Sequence, residues 1–255
     1  AATVDALRRP TLKTFMALGQ PAWTAARRTV VALLSDGPHS LREHPRRDDV
    51  LLPRTRLRML LPADIGDYTD FYASLHHATN VGSMFRPNNP LMPNWKHLPV
   101  GYHGRASSIV VDGHPVVRPH GQTSATDEGP PTFGPIKLMD YELEVGVFLG
   151  GPANDVGQRI PIGRARERLF GCVLVNDWSA RDVQKWEYQP LGPFNAKNFC
   201  TTISPWVVTL EALEPYLEPG PARTDADPAM LDYLRLPGDF VVNMTLEVRI
   251  QSEAM

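Results

Sequence analysis

Glu142 and Glu144 stand two residues apart in the stretch Asp140-Tyr141-Glu142-Leu143-Glu144-Val145-Gly146-Val147-Phe148-Leu149. The alternation predicts a half-buried strand, with Tyr141, Leu143, Val145, Val147 and Leu149 on one side and Glu142, Glu144, Gly146 and Phe148 on the other. At a rise of about 3.3 Å per residue, two carboxylates on one side of a strand lie roughly 6–7 Å apart. Left alone the pair repels, and one member is driven toward protonation. A divalent cation between them removes the conflict, because hard cations prefer carboxylate oxygens. Gly146 is expected to leave room above the same face. An isolated E-x-E is more often a solvated acidic face, so the case for a cation rests on partners elsewhere in the chain.

Several stretches offer such partners. A helix expected from Asp67 to Thr79 would align Asp70, Ser74 and His77 at i, i+4 and i+7, with His76 turned about 100° away. An aspartate ligand and a histidine base would then share one wall, although a single histidine is more often structural. The apolar run Gly171 to Asp177 predicts a strand buried on both faces, and it ends on a carboxylate. Ser179-Ala180-Arg181-Asp182 has the form of a capping box opening a helix. On that helix Arg181, Gln184 and Tyr188 share a stripe, which suits either an exposed polar face or a polyoxygenated substrate. The loop from Pro190 to Asn198 carries Lys197, and Thr201 opens a further strand.

The remaining elements must position these groups. Pro21 to Ser35 predicts a docking helix with Trp23, Ala26, Val30 and Leu34 on one stripe. Residues 42–58 predict a solvated connector, with a domain boundary near residue 62. A Pro-rich loop from Asn80 to Pro99 carries Arg86, and Gly101 to Ser108 predicts a hairpin entry to the strand Ile109-Val110-Val111. Gln122 to Pro135 is expected to be loop, and the alternation of Met244, Leu246, Val248 and Ile250 predicts a strand.

Bulk properties exclude several classes. A net charge of −2 argues against partners recruited by charge, so neither nucleic acid nor a membrane surface is expected. No apolar run reaches the roughly 18 residues of a membrane span, and no signal-peptide pattern opens the chain. Twenty-five prolines in 255 residues predict many short elements joined by rigid loops. Two cysteines, Cys172 and Cys200, make no disulfide framework, which fits a reducing, cytoplasmic setting.

The stretches DYTDFYASLHHATNVGSMFR (67–86), LMPNWKHLPVGYHGRASSIVV (91–111), DYELEVGVFLG (140–150), FGCVLVNDWSARDVQKWEYQPLGPFNAKNF (170–199) and TTISPWVV (201–208) together resemble the fumarylacetoacetase (fumarylacetoacetate hydrolase) family, which acts last in tyrosine and phenylalanine breakdown. The resemblance covers most of residues 63–208 in uninterrupted order. It implies a mainly β (α+β) chain, with a partial SH3-like domain over 1–62 and a mixed β-sandwich roll over 63–255. It also implies a homodimer acting on a small molecule. Asp70, Glu142, Glu144 and Asp177 match ligands for Mg²⁺ or Ca²⁺, and Lys197 and Thr201 match positions near that metal. His77 matches the general base. Tyr72, Arg86, Tyr102, Gln184 and Tyr188 match substrate contacts, while Arg181, Gln184 and Lys197 match groups that stabilise oxyanion charge.

The chain also departs from that pattern. It is shorter than the family at both ends, and the C-terminal strands, a substrate-contacting Thr and a Glu that orients the histidine are expected to be missing. Residues 240–251 would then be an exposed edge. Cys200 stands where the family has Gly, which raises the question of a left-handed backbone there. Two other functions fit the same residues: a superfamily sister acting on acylpyruvates or oxaloacetate-like acids, and a non-catalytic metal-binding remnant.

Overall fold

A computed structural model describes residues 1–126, 128–225 and 227–252. The first segment is helical: α1 (Ala2–Leu7), α2 (Lys13–Ala17), α3 (Gln20–Leu34) and the short α4 (Arg47–Val50). No strand is present among residues 1–62, so the SH3-like expectation is not met in this stretch. The physical reason lies in its pattern: apolar residues recur at helical spacing around Trp23, and the arginine-rich part that follows offers no alternating run. The α3 stripe is only half used. Trp23 is buried, while Val30 and Leu34 stay exposed.

Beyond residue 62 the chain is built from short strands: β1 (Thr69–Phe71), β2 (Gly101–His103), β3 (Ile109–Val111), β4 (His120–Thr123), β5 (Thr132–Pro135), β6 (Met139–Asp140), β7 (Leu143–Leu149), β8 (Leu169–Asp177), β9 (Ser179–Ala180), β10 (Thr201–Ile203), β11 (Val208–Thr209), β12 (Leu217–Pro219) and β13 (Phe240–Val242). Among the described residues four α-helices punctuate them: α5 (Leu75–Phe85), α6 (Arg181–Glu187), α7 (Asn195–Asn198) and α8 (Leu210–Leu213). Mainly β with α is the observed class.

The principal sheet is mixed, with β8 at its centre. One edge of β8 pairs antiparallel with the whole of β7; the other takes β10 and β11, and β10 continues to β3 in parallel. Antiparallel ribbons β1–β2, β4–β5, β6–β9 and β12–β13 surround it. The β4–β5 ribbon replaces the loop expected over 122–135, because Gln122 and Phe133 find each other as cross-strand partners. Residues 244–250 are not in a strand, despite their alternation. An alternating run needs a partner edge to become a strand, and no described segment supplies one.

The buried face of this sheet is the reverse of the one its hydrophobicity suggests. Val147 opposes Cys172, which also opposes Val208, and Val145 opposes Leu174. These side chains share a face, yet Val147 and Leu174 are each 52% exposed. The opposite face holds Glu144, Gly146, Val173, Val175 and Asp177, all buried or half-buried. β8 is therefore central in its pairing but covered on one face only, contrary to the two-sided burial expected of it. Gly146 does not open a vacant spot: a Cβ there would come within 2.9 Å of Val175 Cγ2 and 3.2 Å of Val173 Cγ2, so its missing side chain admits those valines.

One core cluster joins the N-terminal helices to this sheet. Ala6, Phe15, Met16 and Trp23 pack with Ala63 and with Phe170 of β8, and Phe148 of β7 packs against the group. The Phe170 ring meets Trp23 edge-on at 5.0 Å and Phe15 at 6.0 Å. Trp23 Nε1 donates to Phe15 O at 3.1 Å, which satisfies the indole where it is buried. Replacing Phe170 by Ala should cost about 3–5 kcal/mol, the usual range for a buried aromatic. Urea denaturation checks the magnitude, and faster tryptic cleavage within residues 1–34 checks that this ring is what fastens the helices.

Candidate metal centre and active site

Three carboxylates from two neighbouring strands converge on the covered face. Glu142 precedes β7, Glu144 lies in it, and Asp177 ends β8. One ligand oxygen from each lies within 4.8 Å of the others. The register explains the convergence: Asp177 N donates to Glu142 O at 3.1 Å, and Asn176 Oδ1 accepts from Glu142 N at 3.1 Å. Glu144 follows two residues on, one pleat along the same face.

Two cations are built into the same face. Arg181, the first residue of α6, donates from Nε to Asp140 Oδ2 at 2.9 Å, from Nη1 to Gln184 Oε1 at 3.0 Å and from Nη2 to Glu142 Oε1 at 2.6 Å. Lys197 of α7 donates to Glu142 Oε2 and, at 2.8 Å, to Asp177 Oδ2. Thr201 Oγ1 donates to Asp177 Oδ1 at 3.2 Å. Lys197 is only 5% exposed and Asp177 2%, so these charges are paired where water is largely excluded.

The carboxylates are unequal in consequence. Burial pushes Glu142 up, but Lys197 and Arg181 outweigh it and hold the group below the ordinary glutamate range. Glu144 has neither cation as a partner. Burial, with the charges of Asp70, Asp177 and Glu142, pushes it from 4.5 up to about 8. Asp177 rises from 3.8 to about 6, through burial first and the Asp70 and Glu142 charges after it, against Lys197. Excess negative charge on hard oxygen donors is what a divalent cation relieves, so the donor set fits Mg²⁺ or Ca²⁺ and not a soft metal.

The other residues marked by the sequence fall into place unevenly. Asp70 is not on a helix. It lies in β1, opposite Tyr102 of β2, whose hydroxyl donates to Asp70 Oδ2 at 2.7 Å. The expected helix begins only at Leu75, where Ser74 caps it by accepting from His77 N at 3.2 Å. Ser74 therefore serves the helix terminus and does not share a helical face with Asp70. Asp70 is outside the group of three, but near enough to raise Glu144 and Asp177. His77 is exposed, its ring edge-on to Tyr72 at 5.5 Å, and His76 is exposed beside it. Tyr72 and Arg86 line an apolar cavity of about 180 Å³ with Met92, Trp95 and Val100. A larger hollow beside residues 36–45 is an open loop concavity away from these groups.

Tyr188 terminates α6, with its hydroxyl accepting from Gln189 Nε2 at 3.2 Å. The capping box is absent. Ala180 is the N-cap, the buried Ser179 donates from Oγ to Asp177 O at 3.0 Å, and Asp182 accepts from Lys137 N at 2.7 Å. The β6–β9 ribbon has claimed Ser179 as a strand residue. Cys200 needs no left-handed backbone, since no described residue other than glycine has positive φ.

Three participants carried no signal of their own in the sequence. Asp140 anchors Arg181, Asn176 holds the Glu142 backbone, and Tyr68 hydrogen-bonds Thr201 in reach of the Asp70, Asp177 and Lys197 charges. Gly104 makes Tyr68 possible, because a Cβ there would come within 2.0 Å of Tyr68 Cζ.

A sequence model described as fumarylacetoacetate hydrolase C-terminal matches residues 67–254, and one described as fumarylacetoacetase N-terminal matches residues 1–62. The chain belongs to the fumarylacetoacetate hydrolase family. It is 55% identical over 251 residues to the fumarylacetoacetase of Caenorhabditis elegans, covering 98% of this chain and 59% of that one. Against the fumarylacetoacetases of Dictyostelium discoideum and Homo sapiens the identity is 52%, covering 96% and 98% of this chain and 57% and 59% of theirs. The chain thus spans somewhat under three fifths of the length of these family members.

Without metal, Glu144 binds its proton more tightly folded than unfolded, so the stability it contributes is complete below about 4.5 and lost as pH rises through about 8. Asp177 acts in the same direction between 3.8 and about 6. The melting temperature of the EDTA-treated chain should fall across that window, Mg²⁺ or Ca²⁺ should restore it at pH 8, and Glu144→Gln should flatten the upper part. Separately, Gly104→Ala should cost about 1–3 kcal/mol by displacing Tyr68, as read from denaturant midpoints.

Proposed function

We propose that this chain carries the working centre of a fumarylacetoacetase: metal-dependent hydrolysis of a C–C bond of 4-fumarylacetoacetate to fumarate and acetoacetate, the final step of tyrosine and phenylalanine catabolism. The observation that carries the proposal is the convergence of Glu142, Glu144 and Asp177 within 4.8 Å, backed by two fixed cations. Relatives sharing 52–55% identity bear that name.

Cleaving a 1,3-diketone with water requires a base, donors for the alkoxide formed on attack, and a sink for the departing carbanion. When bound, Mg²⁺ or Ca²⁺ supplies Lewis acidity toward the diketone oxygens and balances the enolate charge. Glu142, Glu144 and Asp177 would hold it, with Asp70 as a fourth carboxylate nearby. Thr201 and Lys197 keep the two Asp177 oxygens in place. His77 takes the proton from water. An ammonium has three N–H donors and Lys197 commits two of them to carboxylates, which leaves one for the alkoxide. Arg181 has five, of which three are committed to Asp140, Gln184 and Glu142, and Gln184 offers its amide N–H groups beside it. Arg86, Tyr72, Tyr102 and Tyr188 contact the substrate, with the Arg86 guanidinium at the rim of an apolar cavity receiving a carboxylate end.

Supporting a homodimer is the exposed apolar face of Val145, Val147, Leu174 and Val208. Two free cysteines support a cytoplasmic setting, and no helix of the described residues is long and apolar enough to cross a membrane.

The test is loss of fumarylacetoacetate followed spectrophotometrically with Mg²⁺, with Ca²⁺ and with EDTA, beside an acylpyruvate. Cation-dependent loss is expected, falling roughly 10²–10⁴-fold in His77→Ala. Preference for the acylpyruvate would move the assignment to a sister activity, and absence of cation binding by calorimetry would remove the metal centre altogether.

A further inference from the structure

Lys197 is held at the centre of the site by a helix of only four residues, α7, which has little stability of its own. Something must fix it. Glu187, the last residue of α6, turns its carboxylate onto the start of α7: Oε1 accepts from Phe194 N at 2.9 Å and from Ala196 N at 2.7 Å. These are amides that a helix start leaves without an intrahelical partner. Within α7, Lys197 N and Asn198 N in turn donate to Phe194 O at 3.1 and 2.9 Å. Val183 of α6 and the fully buried Ala196 of α7 belong to one apolar cluster with Ile136 and Ala180. A single carboxylate oxygen thus joins the end of one helix to the beginning of the next.

The helix that Glu187 terminates opens with Arg181. Arg181 donates to one oxygen of Glu142 and Lys197 to the other. The placement of both cations therefore depends on α6: of Arg181 directly, and of Lys197 through the bridge from Glu187 to α7. We infer that Glu187 is a positioning residue, whose carboxylate locks α7 to α6 so that Lys197 reaches Glu142 and Asp177. It does not touch the reacting groups and acts only through Lys197. The inference deepens the proposed function, since it concerns the same centre, but its test does not require turnover.

The experiment is a double-mutant cycle on the full chain, read by denaturant unfolding and by amide hydrogen exchange. Glu187→Ala removes two charge-assisted hydrogen bonds and should raise the unfolding equilibrium constant by about 10-fold or more, with faster exchange at Ala196, Lys197 and Asn198. Glu187→Gln keeps an acceptor oxygen and should recover most of the loss. In a Lys197→Met background, Glu187→Ala still loses both backbone hydrogen bonds, but its effect on the unfolding constant should be at least about 3-fold smaller, because the share that comes from misplacing Lys197 is gone. Full additivity of the two substitutions, or a Glu187→Gln variant no better than Glu187→Ala, overturns the inference. Should Glu187→Ala fail to fold, exchange in the unaltered chain decides. Ala196 N–H should exchange at least about 10-fold more slowly than the amide of the exposed Leu191, and equal rates overturn the inference.

Discussion

The structure depends on how it concentrates negative charge and then contains it. Three carboxylates with ligand oxygens within 4.8 Å of each other, and a fourth nearby, would not stay together in a water-poor site without opposing charge. Lys197 and Arg181 supply it from two helices that follow β8 and β9 in the chain. Removing one partner from such a buried arrangement typically costs about 3–5 kcal/mol, because the charge left behind is neither solvated nor paired. The local fold serves this requirement. β8 ends on Asp177, β9 turns the chain through the buried Ser179, and α6 brings its first residue back over Glu142.

This requirement also accounts for the inverted burial of the sheet. On hydrophobicity alone, Val145, Val147 and Leu174 should face inward and Glu144 outward. The face with the carboxylates is the covered one, because its polar groups meet partners there: Lys197, Arg181 and Thr201 reach the acidic cluster through hydrogen bonds. The apolar side chains on the other face, Val147 and Leu174 among them, stay exposed side by side.

Legibility from sequence follows the range of the interactions. The E-x-E pair could be read directly, because the two-residue period of a strand fixes which side chains share a face. Arg181 and Gln184 could be placed together, since a helix brings i and i+3 into register, and the structure joins them at 3.0 Å. The Asp70–His77 relation is not legible for the same reason in reverse: helical spacing breaks down in a segment whose residues 69–71 pair with Gly101–His103, thirty or more residues on. Tyr68, Asp140 and Glu187 act through neighbours made by the fold, so nothing in their immediate sequence marks them. The helical N-terminal segment was hidden differently. There the resemblance suggested a barrel, while the spacing around Trp23 already pointed to a helix.

Within the cluster, the three carboxylates are suited to different tasks. Glu142 has both oxygens engaged, one by Arg181 and one by Lys197, which hold the group below the ordinary glutamate range against its burial. It is a negative anchor fixed on both oxygens by side-chain cations. Glu144 is the opposite case: half-buried, without a hydrogen-bonded cation of its own, and pushed up to about 8 by burial and then by the charges around it. Its ionisation near neutral pH is favourable only with added positive charge, so a cation and a proton compete for it. Asp177 lies between these limits, steadied by Lys197 and Thr201 on its two oxygens yet raised to about 6 by burial. A site in which one ligand is permanently charged and another acquires its charge with the metal can remain folded when empty and still bind a divalent ion firmly. Three equally neutralised carboxylates would forfeit the affinity, and three uncompensated ones would forfeit the fold.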